Sequence, residues 1–200
     1  MRYCAFAPFT TVLKDGLEIT LRDVVPTDSD LISLGFEQLS DQSRYFRFMA
    51  VRKSLSKGEL ERFSAINTQD HAAIGGFCVA DHEPQPVGIA RYVRLDAEST
   101  DAEIAITVVD GHQGRGVGTL LLGALAKSAH ENGIECFIAL IDSNNYAMRE
   151  LLKAMGGSEE GINSPEVTVS CPIYQDADRY PDNRTGAFIR QAYALAKFSP

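Results

Sequence analysis

Gln113-Gly114-Arg115-Gly116-Val117-Gly118-Thr119 stands between an apolar, strand-like run, Ile104 to Val109, and apolar residues at helical spacing from Val117 to Ala129. Glycines at this junction let the chain turn sharply from strand to helix. They also leave backbone N–H groups unpaired at a helix N-terminus, where the helix dipole favours an anion such as a phosphate.

The flanks supply the topology. Upstream, Glu103 to Val109 follows two apolar runs, Ala72 to Ala80 and Val87 to Leu95, which read as a hairpin joined through Glu83-Pro84-Gln85-Pro86. Before them, Leu17 to Arg22 alternates apolar and polar residues as a half-buried strand does. Pro26 and Thr27/Asp28 start a helix carrying Leu31, Ile32, Leu34, Phe36 and Leu39. Ser40-Asp41-Gln42-Ser43 caps a second, with Tyr45, Phe46 and Phe48, and a third spans about Lys57 to Ile66. Downstream, a helix from about Gly116 to Asn132 ends at Asn132-Gly133. A strand (Glu135 to Ile141), a helix (Asn145 to Met155, closed by Gly156-Gly157) and a final strand (Glu166 to Cys171) follow. Residues 174–200 begin polar and end in a weakly amphipathic helix, Ala187 to Lys197. This order predicts an α/β or α+β fold with a mixed sheet, antiparallel in its meander and locally parallel across the long central helix.

Two nucleotide-binding readings of the turn fail. A P-loop needs Lys and then Ser or Thr after its second glycine, whereas Gly118 is followed by Thr119-Leu120. A dinucleotide-binding turn needs G-x-G-x-x-G opening the first βαβ unit; Gly114-x-Gly116-x-Gly118 has other spacing and follows an antiparallel meander.

Gln113-x-x-Gly116-x-Gly118 between a strand and a long helix resembles the acetyl-CoA diphosphate loop of the GNAT family of N-acetyltransferases. Ala102-Glu103-Ile104 resembles the strand that carries the catalytic glutamate of the histone acetyltransferase branch, and Asn145-x-x-Met148 with Gly156 resembles the closing helix. Leu39-Ser40-x-x-Ser43-Arg44-Tyr45-x-Arg47-Phe48 is similar to a segment of Pat-type protein lysine acetyltransferase domains. The resemblance runs from about residue 17 to 172. It implies a GNAT domain over 17–172, between an N-terminal extension, 1–16, and a C-terminal extension, 173–200, and a mostly antiparallel sheet splayed at the cofactor site.

The resemblance also implies the site. Acetyl-CoA is the co-substrate, its diphosphate on Gln113, Gly114, Arg115, Gly116, Val117, Gly118 and Thr119. Its pantetheine arm lies along Ile106, Thr107 and Val108, with Asn145 opposite. Glu103 is the general base, and the Val108 N–H stabilises the oxyanion. One departure stands out: where many members carry a tyrosine on the last helix, three or four residues before Gly156, this chain has Leu152-Lys153, and Tyr146 lies a turn and a half earlier.

The residues support this chemistry independently. An amine with a pKa of about 10.4 needs a base or a desolvating pocket to attack a thioester. Period-two alternation puts Glu103 on one strand face with Ala105 and Thr107, a carboxylate beside small residues with space for a substrate. Partial burial would raise its pKa toward neutrality. Gln113 and Arg115 reach the turn from its rim, while Asn145 also suits a helix cap. His112 adjoins the loop, and the resemblance implies that Arg44, Tyr45 and Arg47 border the acceptor cleft.

Composition bounds partners and setting. With 19 basic and 27 acidic residues in 200, a net charge of −8 and no Lys/Arg cluster, nucleic acid and anionic membranes are disfavoured. Cys4, Cys78, Cys136 and Cys171 are scattered, which suits free thiols rather than disulfides or a metal site. No signal peptide is read at the N-terminus, and no run approaches the roughly 20 apolar residues that span a bilayer, so a soluble cytoplasmic protein is expected. The expected activity is acetyl transfer from acetyl-CoA to a primary amine, a protein lysine first and a small-molecule amine second. A non-catalytic acyl-CoA-binding module is the third reading. The oligomeric state stays open, a homodimer included.

Overall fold

The computed structural model describes residues 3–163 and 165–198; the outer ends of the two extensions, residues 1–2 and 199–200, lie outside the described residues. Its elements in chain order are β1 (Phe6–Ala7), β2 (Phe9–Val12), β3 (Glu18–Asp23), α1 (Ser29–Glu37), α2 (Asp41–Phe48), α3 (Lys57–Phe63), β4 (His71–Ala80), β5 (Glu83–Arg94) and β6 (Asp101–Val108). The second half holds α4 (Val117–Glu131), β7 (Cys136–Asp142), α5 (Tyr146–Ala154), β8 (Ser158–Asn163), β9 (Glu166–Pro172), α6 (Arg184–Leu195) and β10 (Lys197–Phe198).

Eight strands form one sheet in the order β2-β3-β4-β5-β6-β7-β9-β8. Every neighbouring pair is antiparallel except β6 and β7, which run parallel across the α4 crossover. The architecture is thus a mixed α/β fold, as the element order predicts. Local chemistry explains the boundaries. Ser40 Oγ accepts the Ser43 N–H at 3.2 Å and starts α2, and Asn145 Oδ1 accepts the Met148 N–H at 3.2 Å and starts α5. At the end of α4, Gly133 takes φ 78°, while its N–H bonds the His130 carbonyl and that of Ile134 bonds Ala129.

Four features differ from the sequence expectation. The β4–β5 turn is Asp81-His82, both at positive φ (52° and 66°), and Ala80 pairs with Glu83. Such a two-residue turn matches the twist of its strands. Pro84 and Pro86 instead lie inside β5, beyond Gly88 where its pairing with β6 ends, so their missing N–H groups cost no ladder bond there. Helix α3 stops at Phe63, leaving Ile66 73% exposed. The stretch read as an N-terminal extension supplies β2, an edge strand of the sheet, and β1, which pairs with β10. The polar segment before β9 forms the other edge strand, β8.

One face of the sheet packs on α4, whose Leu120, Leu121, Leu122 and Leu125 are fully buried, and α6 packs on the outside of α4. Tyr92, Ala102 and Phe137 point to that core, while Arg91, Val93, Glu103 and Ile138 lie on the opposite face with α1 and α3. No helix of the described residues is long and apolar enough to cross a membrane.

Candidate active site

The parallel pair β6 and β7 stays together for only three residues, Asp101↔Cys136, Ala102↔Phe137 and Glu103↔Ile138. Beyond Glu103 the strands part. Val109 N–H donates to the Val87 carbonyl at one end of β6, and Leu95 N–H donates to the Asp101 carbonyl at the other. Alternation therefore turns the backbone of odd-numbered residues toward β5 and that of Ile106 and Val108 into the gap. The Val108 carbonyl is capped there by Gln113 Nε2 at 3.0 Å, which leaves the Val108 N–H open. Thr107 is different: its backbone is committed to β5, and it presents only its side chain.

An open groove of about 850 Å³ follows this gap. Its walls include Glu103, Ile106, Val108, Leu140, Asn145 and Met148, and its end is formed by Gly114, Gly116, Gly118 and Thr119. Gly114 and Gly116 both take positive φ, 71° and 93°. A Cβ on Gly116 would also crowd the Phe188 ring at 3.0 Å. The N–H groups from Gly114 to Thr119 make no hydrogen bond within the described residues, while the first helical bond is Leu120 N–H to the Gly116 carbonyl. The turn thus presents a run of free donors at the start of a fifteen-residue helix, chemistry that fits a diphosphate. Val117 serves through its backbone alone, since its side chain is buried in the core.

The two rim side chains are already engaged. Gln113 Nε2 also reaches Asp110 Oδ1 at 3.2 Å and Ser43 Oγ at 3.3 Å, tying the turn to β6 and the start of α2. Arg115 forms an ion pair with Asp15 in the β2–β3 turn and bonds His112 Nδ1 at 3.1 Å. The hydrogen bond from Arg115 Nε to Asp15 holds the Asp15 carboxyl below its usual range. Burial, with the Arg115 charge beside it, pulls the His112 pKa below its ordinary value. A cation from elsewhere lines the groove: Arg184, at the start of α6, with Thr185 and Phe188. These residues were missed because the polar start of the C-terminal extension carries no motif.

Glu103 lies at the other end of β6, in the same groove, and is exposed rather than partly buried as expected. Phe46, Arg47 and Met49 of the α2 region face the same space. Burial pulls the Arg47 pKa down to about 10 against the opposing charge of Glu103. Arg44 does not join them: its Nε and Nη2 donate to the Phe36 and Glu37 carbonyls at 3.3 and 3.0 Å, capping the end of α1. Leu152, at the position where a tyrosine is common, is fully buried. Tyr146 is 66% exposed and does not line the groove. Asn145 spends its carbonyl oxygen on the helix cap and keeps its amide for the groove. Among the described residues no group of three or more His, Cys, Asp or Glu could hold a metal ion.

A family model described as Acetyltransferase (GNAT) family matches residues 39–156. The chain is 34% identical over 174 residues to Acetyltransferase Pat of Mycolicibacterium smegmatis, covering 84% of this chain and 51% of that protein. It therefore spans about half the length of that relative. Acetyltransferase PA5475 of Pseudomonas aeruginosa is 31% identical over 157 residues, 78% of this chain and 84% of its own length. Among solved structures, the GNAT domain of S. lividans PAT superposes with a TM-score of 0.76 at 28% identity, covering 82% of this chain and 96% of that one. A splayed sheet, a glycine turn that opens a long helix and these relatives agree: the chain belongs to the GNAT family of acetyltransferases.

Proposed function

We propose that this chain transfers the acetyl group of acetyl-CoA to a primary amine, by direct attack, in a domain read over residues 17–172 that β2 and α6 complete. The observation that carries the reading is the layout of β6. It bears a carboxylate, Glu103, at one end and open backbone groups of Ile106 and Val108 at the other, beside the free donors of the glycine turn. The N–H groups of Gly114 to Thr119 hold the diphosphate of acetyl-CoA. Ile106 and Val108 bond its peptide-like arm as an added strand would. Asn145 flanks the arm through its free amide. Of the rim side chains, Gln113 holds the turn in shape and Arg115 anchors it to Asp15, so Arg184 is the side chain free to reach a phosphate.

Glu103 accepts a proton from the acceptor ammonium, directly or through water, and frees the lone pair for attack. The new N–C bond forms as the carbonyl oxygen takes up negative charge, which the Val108 N–H stabilises. The C–S bond then breaks, and the second proton on the attacking nitrogen passes to the departing sulfur or to water. A thiolate with a pKa of about 8.5 leaves without a dedicated acid, which suits a site with Leu152 where a tyrosine would stand.

A protein lysine is the first acceptor, on the Leu39 to Phe48 segment. The test is acetyl-CoA turnover by the full chain against lysine peptides and small amines, read by mass spectrometry. Acetylation of lysine peptides supports the reading, and acetylation of small amines alone moves the acceptor class. Acetyl-CoA binding without turnover on any acceptor shows a binding module instead.

A further inference from the structure

Two arginines stand at the acceptor end, Arg91 buried and Arg47 partly exposed to the groove. Arg91 is 8% exposed, yet its one hydrogen bond is from Nη2 to the Phe63 carbonyl at 2.7 Å. Among the described residues the Arg47 side chain enters no hydrogen bond or ion pair, and neither Arg91 nor Arg62 has a carboxylate within ion-pairing distance. The three guanidinium groups gather around one ring, with their Cζ atoms 4.6 Å (Arg91), 5.2 Å (Arg62) and 5.9 Å (Arg47) from the Phe63 centroid. Arg47 and Arg91 both line a cavity of about 80 Å³ beneath α1–α3, walled mostly by apolar residues such as Leu31, Ile32, Phe36 and Phe48. Arg47 also lines the groove that holds Glu103, so it stands where the two spaces adjoin.

Desolvated like charges repel, and a buried cation is expensive without an anionic partner. Burial and the neighbouring arginines pull the Arg91 pKa down to about 9. Phe63 accounts for part of the arrangement by stacking, but most of the guanidinium N–H groups have no protein acceptor among the described residues. A carboxylate fits what is missing. It offers two oxygens to donors in fork geometry and removes the repulsion between the two side chains.

We propose that the space between Arg47 and Arg91 binds a carboxylate of the acceptor, so that the amine reaching Glu103 belongs to a molecule with a carboxylate close to that amine. The carboxylate comes from a small amino acid or from an Asp or Glu beside a peptide lysine. The inference rests on the acetyl-transfer reading of the groove and names the acceptor's chemistry within it.

Matched acceptors test it: β-alanine against its amide, glutamate against glutamine, and lysine peptides with Asp or Gly next to the lysine. The full chain should favour the carboxylate member of one series by about tenfold or more in kcat/KM, and the series that responds identifies the source. Arg47→Met should erase that preference by raising the acceptor KM about tenfold, while the KM for acetyl-CoA and for the neutral acceptor stays within about twofold. Arg47→Lys should restore part of it. Glutarate, tested on the unaltered chain so that no variant need fold, should compete with the acceptor and not with acetyl-CoA. Equal use of charged and neutral members, equal loss on both in Arg47→Met, or no competition by glutarate overturns the carboxylate site while leaving acetyl transfer intact. No transfer to any acceptor overturns both.

Discussion

Phe188 of α6 seals the back of the glycine turn: its ring lies 3.0 Å from where a Cβ would stand on Gly116. The C-terminal helix is therefore a wall of the candidate site, and its own burial depends on the turn. Phe188 is buried in the same core cluster as Val117, Leu120 and Ile189.

Removing the ring should cost stability and binding together. Phe188→Ala is expected to lose about 3 kcal/mol or more from the emptied space and to raise the KM for acetyl-CoA as the turn loses its backing. Urea denaturation and coenzyme titration read the two effects separately. A stable variant with unchanged coenzyme binding would remove α6 from the site.

The contact between α4 and α6 is as tight at Gly123, where a Cβ would meet Ala192 Cβ at 2.9 Å and Ile189 Cα at 3.0 Å. Gly123→Leu should push the helices apart at a cost of about 2 kcal/mol or more. The Tm should fall by several degrees, on the order of 5 °C. A variant that melts with the parent would show that this crossing is loose.

The two arginines near the turn should behave differently. Arg115 and Asp15 are exposed enough for water and salt to screen the pair, so Arg115→Ala should change stability little and leave the coenzyme KM within about twofold. Arg184 lines the groove without an ion-pair partner among the described residues, and Arg184→Ala should raise that KM about fivefold or more with kcat retained. Steady-state kinetics at two ionic strengths checks this. The opposite ranking would return the phosphate contact to Arg115.

Two histidines link stability to pH. Burial, with Arg91 beside His71 and Arg115 beside His112, lowers both pKa values. The unfolded chain thus binds protons more readily than the folded one, so their contribution is present above about pH 6.5 and is lost as pH falls through the lowered values. Denaturation midpoints should drop between pH 7.5 and 5.5, and His71→Gln should flatten part of that drop. An unchanged slope in the variant would exclude His71.

Much of the fold was legible because its signals are local. Alternation in Leu17 to Arg22, the caps at Ser40 and Asn145, and the Asn132-Gly133 stop act within a few residues, and the structure keeps them. The edge strand β8 was not legible, since Ser158, Glu159 and Glu160 show no apolar alternation, and polar residues are what an edge strand carries. Asp81-His82 hid the hairpin turn because neither residue is the glycine that positive φ favours, while Pro84 and Pro86 drew attention to the wrong segment.

The site was legible in its backbone and less so in its side chains. Three glycines between a strand and a helix mark Gly114, Gly116 and Gly118 in the sequence itself, whereas Val108 enters the reading only through the family resemblance. Beside their local partners, Gln113 and Arg115 bond Ser43 and Asp15, 70 and 100 residues away in the chain, and no spacing rule reaches that far. For the same reason Arg184, Phe188 and the Arg47–Arg91 pair emerge only once the chain is folded.

Glu103→Gln tests the central claim most directly, with acetyl-CoA binding measured by calorimetry and turnover measured on the best acceptor of the panel. The account predicts an unchanged Kd, because Glu103 sits at the far end of β6 from the glycine turn, and a kcat lower by about a hundredfold or more near neutral pH. A kcat within about twofold of the unaltered chain would contradict the assignment of Glu103 as the base.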